Sequence, residues 1–183
     1  YLNIVYDEIK RLSRLVSDLL DISAMEEGKF KLNMVEFDIN ILIKQCIANF
    51  DGKIRNKGVN VEVTFGREHE FVYADRDRLI QVLTNIIDNA IKYSNDDGCI
   101  KITTNDKGSK VYVSVFNNGP LLKSEELARI WDRFYKSDKA RINKESTGLG
   151  LPIVRLILAQ HGEDIWVNNE KDGVRFTFTI SKI

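Results

Sequence analysis

Cysteine is nearly missing: Cys46 and Cys99 are the only two in 183 residues. Neither forms a Cys-x-x-Cys pair or lies at ligand spacing from His69 or His161, which argues against a disulfide framework and a zinc site. Net charge is missing too. The 27 Lys and Arg offset 27 Asp and Glu, so there is no electrostatic footprint for a polyanion and no nucleic-acid partner is expected. No apolar run approaches the roughly 18 residues that cross a bilayer, and no signal-peptide pattern precedes the first helical periodicity. The expectation is a cytoplasmic piece without membrane contact. Familiar nucleotide signatures are absent as well: there is no Gly-Lys-Ser/Thr P-loop, no HRD or DFG segment, and Ile153 leaves a Rossmann fingerprint incomplete. What remains, 43% apolar and 30% charged, suits one or two soluble domains with an ordinary core.

Val5, Ile9, Leu12, Val16 and Leu19 follow the four-three alternation of a coiled-coil seam, and Leu15, Leu20 and Ile22 widen it. This predicts one helix of a multi-helix bundle, which cannot bury its stripe alone. Its partners are expected upstream, on another chain or in the domain that follows, the first two being favoured. Gly28 ends the pattern, and Asp38 is a candidate N-cap for a helix through Ile41, Leu42, Cys46 and Ile47 to about Arg55. A domain boundary therefore falls near residue 30.

Beyond it, alternation predicts strands at 59–65, 99–104, 110–116, 163–168 and 174–180, with hairpin turns at NDKGS and EKDG. Helices are expected at about 38–55, 75–94 and 150–161. This order predicts a two-layer α/β sandwich, a mixed sheet of about five strands with three helices, preceded by one long bundle helix. Residues 119–149 hold a short helical pattern, SEELARIWDRFY, then charged sequence without apolar period. Such a loop, ending in glycines at a helix start, reads as a lid.

Three features carry chemistry. In LIQVLTNIIDNAIKYS, Asn85 and Asn89 stack on one helix face, roughly 6 Å apart, beside the apolar stripe Leu79, Val82, Leu83, Ile86, Ile87 and Ile91. Two amides there need partners such as a hydrated metal, phosphate or water, unless they face solvent or tie down a strand. The second feature is STGLGLP, residues 146–152, running into PIVRLILAQH. Gly148 and Gly150 admit close backbone approach, Pro152 suits a first helical turn, and the free N–H groups attract anions. Simple loop flexibility is the alternative. The third is FNNGP, residues 116–120, where an amide at a strand end can meet a planar base or merely form an Asn-Gly turn.

In this order the three elements, with IWDRFYKSDKAR between them, resemble the N, first glycine, F and second glycine boxes of the GHKL ATPase superfamily. IKRLSRLVSDLLDIS resembles the end of the dimerisation helices of bacterial sensor histidine kinases. The resemblance covers nearly the whole chain. It implies residues 1–29 as the second dimerisation helix and 30–183 as a catalytic ATP-binding domain with a lid at about 121–147. It implies ATP and Mg²⁺ as cofactors, with Asn89 ligating the metal and Asn85 beside it. Asn85 and Lys92 are the implied catalytic residues, Lys92 neutralising phosphate charge. Tyr93 would pack on adenine, while Asn117 and Gly119 form the base end. Thr147, Gly148, Leu149, Gly150 and Leu151 would cradle phosphates, and Arg141 would reach the nucleotide. Trp131 and Phe134 would anchor the lid through their side chains.

The reaction implied is transfer of the γ-phosphoryl group to a histidine, then to a response regulator receiver domain, within a homodimer formed through the dimerisation helices. The full-length parent is a candidate membrane protein. No acceptor histidine is expected in this chain, since His69 and His161 lie in unrelated contexts and read as structural. Two departures stand out. Asn117 replaces the customary carboxylate at the base, and Leu121 replaces the second glycine of the first glycine box, so weakened ATP binding is expected. A degenerate nucleotide-sensing or dimerisation module is the alternative. The bundle helix and F box argue against a gyrase-like or chaperone ATPase.

Overall fold

The computed structural model describes residues 2–28, 30–136 and 146–182. Helix α1 runs Leu2–Glu26 and stops at Gly28, whose φ of 65° is left-handed. Strand β1 (Met34–Asp38) leads directly into α2 (Ile39–Ala48), followed by α3 (Asp51–Lys57) and β2 (Asn60–Phe65). Strand β3 (Phe71–Asp75) leads in the same way into α4 (Arg76–Tyr93). The hairpin β4 (Cys99–Lys107) and β5 (Lys110–Asn118) comes next, then the short α5 (Ser124–Arg129), α6 (Gly150–Gln160) and a second hairpin, β6 (Ile165–Glu170) and β7 (Gly173–Ser181).

Five strands form one mixed sheet in the order β2-β4-β5-β7-β6. β2 pairs parallel with β4, and the other neighbours are antiparallel. Helices α2, α4 and α6 cover one face, so the fold is a two-layer α/β sandwich preceded by a long helix. Alternation places Ile100, Ile102, Val111, Val113, Phe178 and Ile180 in the core against Leu79, Leu83 and Ile86 of α4 and Ile153 and Ile157 of α6. The amphipathic period of α4 thus turns its apolar stripe to the sheet and its amides to the other side.

The helix expected over 38–55 is two helices. Asn49 and Gly52 flank the junction, both weak helix formers, and Phe50 turns into the core there. A two-stranded ribbon, β1 with β3, was not foreseen. Each of its strands ends in an aspartate that N-caps the next helix. Asp38 accepts from Asn40 N (2.9 Å) and Asp75 from Arg78 N (3.1 Å). Strand and helix patterns therefore run together without punctuation.

The C-terminal part of α1 docks on the sandwich. Ile22 and Met25 are buried, Gln160 Nε2 donates to the Met25 carbonyl (3.3 Å), and Asp21 accepts from Arg78 (3.3 Å) and Gln81 (3.1 Å). Arg133 pairs with Glu26. The earlier apolar residues Val5, Ile9, Leu12 and Val16 are exposed.

Glu163 is buried where β6 begins, held by Lys110 Nζ (2.8 Å) and the Ser181 and Thr179 hydroxyls. Burial works to raise its pKa, but the bonds from Lys110, Ser181 and Thr179 outweigh it and hold the carboxyl below its usual range. A depressed carboxylate stabilises the fold above the unfolded pKa, and that contribution is lost as pH falls through the folded value. Glu163→Gln is expected to cost about 1–3 kcal/mol at pH 7. In urea titrations the gap from wild type should narrow steadily below about pH 4.

Candidate functional site

Helix α4 presents Asn85, Asp88, Asn89 and Lys92 along the side away from its buried stripe, and all four line one cavity of about 310 Å³. Tyr93, Asn117, Thr147, Gly148, Gly150 and Leu151 line the same cavity. A volume of this order suits a small organic ligand. Gly119 and Leu149 are not among its lining residues: Leu149 is fully buried, and its N–H is donated to Thr147 Oγ1 (3.3 Å). Arg141 lies outside the described residues.

Helix α6 starts at the cavity with no side-chain cap, so the first-turn N–H groups of Gly150 and Leu151, both lining residues, have no intrahelical acceptor. That end attracts negative charge. The approach is close, since a Cβ on Gly150 would lie 3.3 Å from Asn85 Oδ1 and press on that amide. The flap is stitched at its base. Phe134 N donates to the Gly148 carbonyl (3.0 Å), and Gly148 holds φ +74° against the Phe134 backbone. Burial pushes the Tyr93 hydroxyl pKa up, the nearby Ser146 hydroxyl opposes this, and the Asp88 charge adds to the rise.

At the opposite end, Asn117 is buried and its Nδ2 donates to the Asn118 carbonyl (3.2 Å), so the amide oxygen is the half left for a ligand. The loop after it is clamped by the β6–β7 hairpin. Gly119 N donates to Asp172 O (2.9 Å), and the Asn169 amide both accepts from Leu122 N (3.0 Å) and donates to Leu122 O (2.7 Å). Leu121 is exposed and does not take the left-handed φ that a glycine would permit there. On α3, Lys53 pairs with Asp88 (2.6 Å), and Lys57 Nζ donates to the Ile91 (2.6 Å) and Lys92 (2.7 Å) carbonyls, holding the last turn of α4.

The expected helix over SEELARIWDRFY is confined to α5, and one side-chain anchor is corrected. Trp131 packs edge-on against Phe176 with ring centroids 6.0 Å apart, whereas Phe134 is 56% exposed at φ +60°. Its backbone, bonded to Gly148, does the anchoring. Both histidines are structural. The His161 ring bonds the Ile157 carbonyl through Nδ1 (2.8 Å) and accepts from Asp75 N at Nε2 (3.0 Å), and His69 Nδ1 meets Asp38 (2.7 Å). Neither lines the cavity. Sequence reasoning missed Arg14 and Asp18 of α1 and Val174 and Phe176 of β7, which also line it. Only tertiary packing brings these residues there, so no local motif could reveal them.

Among the described residues no group of three or more His, Cys, Asp or Glu could hold a metal. The Asn85 and Asn89 amide oxygens are hard donors beside an anion-attracting helix end, which fits Mg²⁺ bound jointly by one or two protein oxygens, phosphates and water. No helix among the described residues is long and apolar enough to cross a membrane.

Residues 74–182 match the family described as histidine kinase-, DNA gyrase B- and HSP90-like ATPase. The sensor protein SrrB of Staphylococcus aureus is 36% identical over 170 residues, which cover 92% of this chain and 29% of SrrB. The chain therefore spans under a third of that relative's length. Histidine kinase ThkA, solved in complex with the response regulator protein TrrA, superimposes with a TM-score of 0.81 at 36% identity, over 100% of this chain and 51% of that one. Full-length ShkA in complex with AMPPNP superimposes with a TM-score of 0.83 at 27% identity, over 94% and 36% respectively.

Proposed function

This chain belongs to the family of histidine kinase-, DNA gyrase B- and HSP90-like ATPases, and from that premise we propose that it is the ATP-binding catalytic piece of a two-component sensor histidine kinase. In this reading residues 1–29 are the second dimerisation helix and residues 30–183 the catalytic domain. The observation that carries it is convergence: Asn85, Asn89, Lys92 and the uncapped start of α6 meet in one cavity whose other end holds Asn117.

The triphosphate lies along the N-terminus of α6, where backbone N–H groups and Lys92 offset its charge. Asn89, with Asn85 beside it, would hold Mg²⁺. Magnesium, when bound, screens the phosphate oxygens so that a nucleophile can approach. The chain's own contribution is positioning: α4 fixes the amides and Gly150 lets the backbone close in. The acceptor is a histidine on another polypeptide segment, and a response regulator receiver domain takes the phosphoryl group from it. The full-length protein works as a homodimer through its dimerisation helices. The likeness to ThkA bound to TrrA and to ShkA bound to AMPPNP supports the partner and the nucleotide.

Mixing this chain with a dimerisation domain carrying the acceptor histidine and with labelled ATP is expected to yield acid-labile, base-stable phosphate. A second reading, a nucleotide-sensing module without transfer, is motivated by Asn117 and Leu121. It is favoured if Mg·ATP binds and no such phosphate forms. At the base end, Asn117 accepts a hydrogen bond from the adenine amino group, and a neutral acceptor gives about 1 kcal/mol less than a charged one. Asn117→Ala is expected to weaken ATP about fivefold and to narrow its preference over GTP, read by competition with a fluorescent analogue. An unchanged curve contradicts the adenine role.

A further inference from the structure

Two of the cavity's charged residues come from α1, outside the segment that matches the ATPase family. Arg14 and Asp18 are one helical turn apart on the same face. Their level along the molecule follows from the docking of α1. Met25 lies against Gln160 at the end of α6, and Asp18 is seven residues, roughly 10 Å of helix, before Met25. The same step back along α6 from Gln160 reaches Ile153, and one further turn reaches the start of the helix. With Arg14, Asp18, Gly150, Leu151 and Pro152 all on one cavity, α1 and α6 run side by side in parallel. The charge pair therefore stands beside the uncapped, anion-attracting end of α6.

We infer that Arg14 and Asp18 form a charge pair that reads the polyphosphate end of a bound nucleotide, Arg14 favouring its negative charge and Asp18 opposing it, so that the docking of α1 and nucleotide affinity set each other. The inference rests on the nucleotide reading of the cavity given above. Asp18 is already strained in its charged form: burial raises its pKa, Arg14 lowers it, and Asp21 raises it further. A phosphate nearby adds to that burden, while the exposed Arg14 guanidinium attracts it. Opposite effects on ligand binding from two neighbouring positions follow directly from Coulomb's law. The same helix carries the exposed apolar stripe Val5, Ile9, Leu12 and Val16. Any shift of α1 imposed through that stripe moves the pair relative to the phosphates. Thermodynamic linkage makes the effect mutual, so nucleotide also biases where α1 sits.

The test is calorimetric titration of Mg·ATP and Mg·ADP into this chain and into its Asp18→Asn, Arg14→Gln, Arg14→Lys and Asn89→Ala variants, with melting curves taken without nucleotide. Asp18→Asn should tighten ATP roughly three- to tenfold and Arg14→Gln weaken it by a similar factor, with Arg14→Lys restoring most of the loss. Both effects should be smaller for ADP, which lacks the terminal charge. If wild type binds, Asn89→Ala weakens binding, and the α1 variants stay within twofold of wild type, the inference fails while the nucleotide reading stands. If Asp18→Asn and Arg14→Gln weaken both nucleotides alike and melt early, the residues act through folding and the inference also fails. If wild type does not bind, the nucleotide reading itself fails first.

Discussion

Alanine in place of Asn89 is expected to weaken Mg·ATP binding by roughly ten- to a hundredfold, while leaving the melting temperature without ligand nearly unchanged. The size follows from removing an oxygen that faces charge, an interaction of about 1.5–3 kcal/mol. Stability should be spared because Asn89 is only partly buried and belongs to the cavity side of α4, whereas Ile86, Ile87 and Ala90 hold that turn to the core. Alanine is also the better helix former, which offsets any lost local contact. Titration in the presence and absence of Mg²⁺ sharpens the result. Asn89→Ala should lose most of the affinity that magnesium adds and little of the rest. Equal losses with and without the ion would assign Asn89 to shape rather than to the metal.

The second large effect concerns folding. Gly119→Ala is expected to destabilise the chain by about 3–5 kcal/mol, a fall of roughly 6–20 °C in Tm. Two causes add. Gly119 holds φ +147°, a region that side chains avoid, and a Cβ there would overlap the Tyr93 carbonyl oxygen. The overlap cannot be relieved by rotating a side chain, because the neighbour is backbone. This point joins three elements. Asn95 N donates to the Asn118 carbonyl (3.3 Å), Cys99 N to Asn118 Oδ1 (2.8 Å), and Gly119 N to Asp172 O (2.9 Å). A shift there moves the end of α4, the start of β4 and the β6–β7 turn together. Gly108→Ala is the control. It also has positive φ, +76°, but open space around the missing side chain, so about 1 kcal/mol is expected.

The five-stranded sheet was legible because each of its strands alternates and is bounded by Gly or Asn-Asp turns. Helix α4 was legible for the same reason at period 3.6. The β1–β3 ribbon escaped notice because Asp38 and Asp75 serve at once as strand ends and helix caps, leaving no turn residue between the two patterns. The amides of α4 and the glycine segments that line the cavity stood out by type and spacing, and the family resemblance gave them the roles proposed here. Phe134 did not, because an aromatic in an apolar stretch reads as an anchor, and nothing local reveals that its backbone carries the contact. Arg14 and Asp18 stayed hidden for a deeper reason: their place in the cavity depends on α1 docking through Ile22 and Met25, a tertiary fact.

The central claim is that the space between α4 and the glycine flap seats a magnesium-loaded nucleoside triphosphate, and a crystal grown with AMPPNP and Mg²⁺ tests it most directly. The base is expected against Asn117, the phosphates along the first turn of α6, and the metal on Asn89. Density for the nucleotide anywhere else, or none at millimolar ligand with the cavity filled by side chains, would contradict it.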